Sequence, residues 1–261
     1  MNQKQIAESA GIIWNTWMQS KLIDALPEQS RPSSREEAYA IQAEVARLSG
    51  QELFGWKIAA TSTDGQKHIG VNGPIAGRLL AGRVMQSGAQ LVLGDNLMKV
   101  AEAEFAFRLG KPLLPREQQY SVEEVLAAVD TLHPAIEIPD SRYADFVTVG
   151  APQLIADNAC ACWFICGPAT KADWRSHDLA AHPVAAWRNG SLAAQGTGAN
   201  VLGDPRIAMT WIANELSAHG IGLRAGETVT TGTCVVPQAI APGDTLRAEF
   251  GDLGSVSVGI R

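Results

Sequence analysis

No stretch of these 261 residues approaches the roughly 20 apolar residues that a helix needs to cross a bilayer. The amino end also lacks the basic segment leading into an apolar one that marks a secretory signal. No Lys/Arg run occurs and the net charge is -6, which removes the electrostatic case for binding nucleic acid or an anionic membrane. The glycines form neither a phosphate-binding loop nor a G-x-G-x-x-G between strand and helix, so nucleotide binding has no support. There is no internal repeat and no low-complexity segment. Cysteine is scarce: Cys160, Cys162 and Cys166 cluster, Cys234 lies apart, and the interleaved Ala161, Trp163 and Phe164 read as a buried strand. That pattern suits buried free thiols better than disulfides or a metal site. What these absences leave is a cytoplasmic globular chain, 46% hydrophobic and 18% charged, long enough for one large domain or a core domain with a helical extension.

The chemistry concentrates in Val100-Ala101-Glu102-Ala103-Glu104-Phe105-Ala106-Phe107. Read as a strand, Ala101, Ala103, Phe105 and Phe107 share an apolar face, and Glu102 and Glu104 share the other. Side chains two apart on a strand stand about 7 Å apart at their roots, so both carboxylates can converge on one ion. Taken alone, such a pair more often faces water. A second segment, His133-Pro134-Ala135-Ile136-Glu137-Ile138-Pro139, sets Glu137 among apolar residues with Ile136 and Ile138 on the opposite face. Three carboxylates together repel and raise one another's pKa, and a divalent cation removes that cost. Oxygen-only donors suit Mg2+ or Mn2+. His133 shares the parity of Glu137, as a ligand, a supporting donor or a hydrogen-bonded structural histidine.

The rest of the chain reads as mixed helix and strand. Ile6, Ala10, Ile13, Trp14 and Trp17 predict an amphipathic helix over 5–18. Ser34 and Glu37 predict a capping box, ahead of a helix carrying Ala38, Ile41, Val45 and Leu48 and stopped by Gly50. These two helices are expected to pack on the main fold or on another subunit. Leu53–Ala60 reads as a strand with Phe54, Trp56 and Ile58 on one face and Lys57 on the other, between the small Gly55 and Ala59; by itself this suits a surface lysine at a sheet edge. Residues 62–83, rich in glycine, predict a long functional loop. Ser121 and Glu124 cap a helix whose face holds Val122, Val125, Leu126, Val129 and Leu132, and Asp204-Pro205 starts a last helix that ends at Gly220. Strands then follow over 228–234, 245–250 and 255–260.

Taken in order, Gly55-Trp56-Lys57-Ile58, Glu102-x-Glu104, Ala135-Ile136-Glu137-Ile138 with Asp140-Ser141-Arg142, Ala156-Asp157-Asn158-Ala159, and Pro242-Gly243-Asp244 to Gly254-Ser255-Val256 resemble one family. It is the 2-keto-4-pentenoate hydratase and 4-oxalocrotonate decarboxylase branch of the fumarylacetoacetate hydrolase superfamily, and the likeness runs from about Ser33 to the end of the chain. The resemblance implies an α+β fold of layered, rolled mixed β-sheet with outer helices, residues 1–50 being a helical segment and 51–261 the catalytic domain. It implies that Glu102, Glu104 and Glu137 bind the metal, and that Lys57 is an active-site acid or base whose pKa burial and the cation would lower. The substrate implied is a small 2-oxo acid. Hydration of 2-hydroxypenta-2,4-dienoate at C4 is the first reading, decarboxylation of 4-oxalocrotonate the second, and a non-catalytic partner subunit the third. The chain departs from the hydratase pattern at Pro74-Ile75, where an acid is expected to handle water. The N-terminal helices and their tryptophans, expected to be exposed, point to a homo-oligomer, with association to a sister decarboxylase or hydratase as a further expectation.

Overall fold

The computed structural model describes residues 1–261. Helix α1 (Gln3–Met18) starts at a capping box in which Gln5 N–H donates to Asn2 Oδ1 at 3.0 Å and Asn2 N–H donates to Gln5 Oε1 at 2.8 Å. Its Ala10, Ile13 and Trp17 are buried. Helix α2 (Arg35–Ser49) starts at Ser34 and stops at Gly50, which is left-handed at φ 63°. The Ser34–Glu37 box is only half formed. Ser34 Oγ accepts from Glu37 N–H, but the Glu37 carboxylate turns to the N-terminal ammonium and to Ser33 N–H, which together hold it down at about 2. Trp17 is not offered to another subunit: it is buried within the chain, with the Arg142 guanidinium 4.4 Å above its ring.

Strand β1 (Leu53–Ala59) leads to a short helix, α3 (Thr63–His68), capped by Ser62, and then to β2 (Ile75–Leu80). The long loop expected over 62–83 is therefore mostly ordered. Every residue of β2 is buried and the strand pairs antiparallel with β1, so tertiary pairing outweighs the Gly and Pro signals that precede it. After β3 (Val84–Gln86), β4 (Ala89–Leu91) and β5 (Val100–Leu109) comes α4 (Val122–Ala128), with its Ser121–Glu124 box closed. This helix is shorter than expected. Val129 and Leu132 belong to β6 (Val129–Ile138), because from Val129 onward the backbone pairs with β5. Next are α5 (Ala151–Ala156), β7 (Trp163–Cys166), β8 (Pro183–Arg188) and β9 (Ser191–Thr197). The β8–β9 hairpin is absent from the sequence-based elements, although Asn189-Gly190, both at positive φ, is a strong hairpin signal. Helix α6 (Pro205–Ala218), β10 (Thr228–Thr233), β11 (Gln238–Ala239), β12 (Thr245–Glu249) and β13 (Ser255–Ile260) complete the chain.

One sheet runs β2-β1-β10-β5-β6-β7-β3 with β11 on β5, and the other runs β4-β13-β12-β8-β9. Both are mixed: β1–β10, β3–β7 and β4–β13 are parallel pairs and the others antiparallel. The second sheet packs against β6 and β7, while α1, α2 and α5 form a layer beside β2, and α4 and α6 pack together beside β6 and β10. This is the layered α+β arrangement that the sequence led us to expect. The main core joins 54 buried residues from Ala10 to Ile260, so the two N-terminal helices share it with both sheets. No helix is long and apolar enough to cross a membrane.

Gly77 shows how tightly β2 is seated: a Cβ there would stand 2.1 Å from the Asn158 carbonyl oxygen. Gly77→Ala is expected to destabilise the fold by about 1–3 kcal/mol, the usual cost of overpacking, measured as a lower urea midpoint. An unchanged midpoint would contradict this packing.

Candidate active site

The antiparallel register of β5 and β6 sets Glu102 directly opposite Glu137 and Glu104 opposite Ala135. Opposed side chains on one face of such a pair stand about 4.5–5.5 Å apart at Cβ. The structure thus brings the three sequence-predicted carboxylates together, with one ligand oxygen from each within 4.8 Å of the others. Glu104 and Glu137 are fully buried and Glu102 is half-buried. Glu104 Oε2 accepts from Thr230 Oγ1 and, at 2.9 Å, from Gly232 N–H, but its Oε1 and Glu137 Oε2 accept no hydrogen bond, and Glu137 Oε1 has only the Lys57 ammonium beside it. Buried carboxylate oxygens without donors are costly, and they are aimed at a shared point. Three hard oxygen donors with this shortage of partners fit a divalent cation.

Lys57, on β1, reaches the cluster across β10. Its Nζ stands 3.0 Å from Glu137 Oε1 and donates to the Ala159 carbonyl at 2.9 Å. Burial disfavours its charge, but Glu137, Glu102 and Glu104 outweigh burial and hold it up at about 12. The lowered pKa expected from the sequence is thus reversed while the carboxylates carry no cation. On their side, burial first and mutual repulsion second push Glu102 up to about 7 and Glu104 well above the ordinary carboxylate range; burial also raises Glu137, against the opposing pull of Lys57.

The turn that presents the Ala159 carbonyl is strained and firmly held. Asn158, Ala159 and Cys160 are all left-handed, at φ 58°, 50° and 61°. Asn158 clamps the backbone of Arg78: its Nδ2 donates to Arg78 O at 2.7 Å and its Oδ1 accepts from Arg78 N–H at 2.6 Å. Asp157, just before, is ion-paired with buried Arg142 and accepts from Ser141 Oγ at 3.1 Å. The Asp140-Ser141-Arg142 and Asp157-Asn158 segments therefore act by positioning this turn. Gly232 is a second special position, at φ 99°, where a Cβ would stand 2.2 Å from Thr61 Oγ1. Thr230 and Gly232 escaped the sequence reading, although a glycine inside a strand is a signal of a bulge or close approach.

A cavity of about 950 Å³ opens onto this cluster, lined in part by Lys57, Glu102, Ile75, Met98, Asn200 and Thr233. Residues 60–66, running into α3, form another wall, so the segment after β1 does border the cavity, but as a capped helix. Ile75 is fully buried in β2. His133 lies outside the cluster: its ring bridges Gly167 O and Thr131 Oγ1, each at 2.9 Å, which makes it a structural histidine. All four cysteines are free and buried; Cys160 also borders the cavity, its thiol pushed up to about 12 by burial.

Residues 82–261 match the family model for the C-terminal part of fumarylacetoacetate (FAA) hydrolase. The chain belongs to the FAA hydrolase family. Within that family, it is 32% identical to the 2-keto-4-pentenoate hydratase of Paraburkholderia xenovorans over 259 residues, 98% of this chain and 95% of that one. It is 31% identical to a 4-oxalocrotonate decarboxylase of Pseudomonas putida over 260 residues, 98% and 97% of the two chains. The structure of 4-oxalocrotonate decarboxylase from Pseudomonas putida G7, complexed with magnesium and adipate, superposes with a TM-score of 0.90 at 28% identity, covering 100% of this chain and 99% of that one.

The raised carboxyl pKa values carry a sign. Between the unfolded carboxylate value near 4.5 and the folded value of Glu102 at about 7, the metal-free folded chain binds more protons than the unfolded chain, so its stability falls as pH rises through that window. Lys57 acts outside it, its contribution being lost only as pH rises through about 12. Millimolar Mg2+ is therefore expected to raise Tm more at pH 7.5 than at pH 5, read by scanning calorimetry; an equal rise at both would sink this account.

Proposed function

We propose that this chain is a divalent-metal-dependent lyase acting on 2-oxo and 2-hydroxydienoate acids, with hydration of 2-hydroxypenta-2,4-dienoate at C4 as its reaction. The observation that carries the reading is the convergence of Glu102, Glu104, Glu137 and Lys57 at the base of one cavity. The three carboxylates would hold Mg2+ or Mn2+, a reading supported by the related decarboxylase structures, which are complexed with magnesium and adipate or with calcium and acetate. When bound, the ion supplies Lewis-acid polarisation of the 2-oxo group. Residues 51–261 carry this chemistry and residues 1–50 support it as a helical segment.

The chain's own residues do the rest. Lys57 Nζ stands beside the carboxylates, 3.0 Å from Glu137 Oε1, where it can supply positive charge or move a proton as an enolate oxygen gains charge. The Ala159 carbonyl and Glu137 aim that group. Thr230 and Gly232 fix Glu104 so that its free oxygen faces the cluster. Asp64 of α3 is the one carboxylate besides Glu102 on the cavity wall, and it takes the role of orienting water that Ile75 cannot fill.

One observation supports hydration over decarboxylation. Apart from Lys57, only His68 on the cavity wall can carry positive charge, and no arginine lines it. The second carboxylate of 4-oxalocrotonate would lack a strong partner there, whereas a dienoate with an uncharged tail needs none. Decarboxylation is the second reading, favoured by Ile75 on the wall and by the fold match to the decarboxylase. The reading includes a homo-oligomer and association with a sister enzyme; a monomeric mass in light scattering counts against the former.

The deciding assay offers the purified chain with Mg2+ either 2-hydroxypenta-2,4-dienoate or 4-oxalocrotonate and follows products by NMR. Faster formation of the 4-hydroxy-2-oxo acid is expected. Turnover of neither would leave the non-catalytic partner subunit. Lys57→Met is expected to cut kcat by about 100-fold or more while Mg2+ binding persists. Unchanged kcat would remove Lys57 from the chemistry.

A further inference from the structure

Away from the carboxylate cluster, one other group of side chains gathers three metal-ligating atoms: His177, His182 and Asp252 each offer one within 4.8 Å of the other two. They come from separate segments. His177 follows the turn Trp174–Ser176, His182 directly precedes β8, and Asp252 lies in the turn Gly251–Leu253 between β12 and β13. None of them borders the large cavity.

The hydrogen bonds fix where the ring protons lie. His177 Nδ1 stands 2.9 Å from the Asp173 carbonyl, and His182 Nε2 stands 2.7 Å from the Phe250 carbonyl. A carbonyl oxygen only accepts, so both of these nitrogens carry hydrogen. In the neutral rings, the lone pairs are then on Nε2 of His177 and Nδ1 of His182. Metal-ligating histidines are oriented in this way, one nitrogen tied to a backbone carbonyl and the other free to bind. His177 Nε2 moreover faces Asp252 Oδ2 at 2.8 Å. The protonated ring donates there to the carboxylate as an ion pair, and a cation taking the place of that proton would be held by the same two atoms. With bonds of about 2.0–2.1 Å to a shared ion, a 2.8 Å separation subtends an angle of about 85°. Asp252 is exposed while His182 is buried, so an ion can enter from solvent and meet a rigid inner ligand.

We propose that His177, His182 and Asp252 form a second cation site, built for a borderline ion such as Zn2+ and not for Mg2+, which ties the segment before β8 to the β12–β13 turn. The donor set decides the class of ion: two imidazole nitrogens and one carboxylate suit Zn2+, Co2+ or Ni2+, whereas the all-oxygen cluster suits hard ions. Its position outside the cavity makes the site structural.

The test titrates Zn2+ into the full chain in excess Mg2+, by calorimetry, with Tm measured in parallel. One saturable equivalent of Zn2+ is expected, together with a higher Tm. His177→Ala and Asp252→Ala each alter a side chain that solvent reaches, so both variants should fold; each is expected to weaken Zn2+ by at least about 10-fold. Glu104→Gln should leave the Zn2+ isotherm unchanged. The absence of saturable Zn2+ binding, the parent chain's affinity unchanged in both variants, or loss of the Zn2+ equivalent in Glu104→Gln alone would each overturn the proposal, the last by assigning the ion to the carboxylate cluster.

Discussion

Like charges set opposite each other inside a sheet are the constraint on which this molecule turns. Glu102 and Glu137 face one another across β5 and β6, with Glu104 beside them, in a setting where water cannot solvate all three. Such a register is destabilising by itself, by mutual repulsion and by desolvation together. Much of the neighbouring structure offsets this cost. Thr230 and the bulge at Gly232 supply two hydrogen bonds to Glu104, and Lys57 supplies a counter-charge to Glu137. The oxygens still left without donors are the ones that the proposed cation would satisfy.

Stability and the geometry of the candidate site are therefore coupled through the same atoms. Lys57 is buried because β10 lies between its strand and β5, and it is charged because three carboxylates surround its end. The left-handed run Asn158–Cys160 presents the Ala159 carbonyl to Lys57, and that strained turn persists because Asn158 is bonded to Arg78 and Asp157 to Arg142. Arg142 in turn stacks on Trp17, so the first helix supports the site through a chain of contacts.

The carboxylates were legible because strand parity is a local property. Glu102 and Glu104 are two apart in a run that alternates cleanly, and Glu137 stands alone among apolar residues. Helix starts were legible for the same reason, since Ser121 with Glu124 and Asp204 with Pro205 act within one turn of chain. β2 was not, because its strand character comes from pairing with β1, and the glycines before it read as loop. The same competition moved Val129 and Leu132 from a helix face into β6: their spacing suits a helix, but β5 offers hydrogen bonds along its whole length. Ile75, read as part of a long functional loop, is a core residue that also borders the cavity.

By itself, then, the sequence determined the family, the mixed α+β character, the shared face of Glu102 and Glu104 and the capped helices, because each rests on residues near one another in the chain or on an ordered series of short motifs. Only the tertiary structure decided that Glu102 lies opposite Glu137, that Thr230 and Gly232 hold Glu104, that His133 is structural, and that His177 and His182 meet Asp252 across some 70 residues of chain. The physical reason is register: strand pairing joins residues by hydrogen bonds between segments far apart in the chain, and no local period encodes which residue will stand opposite which.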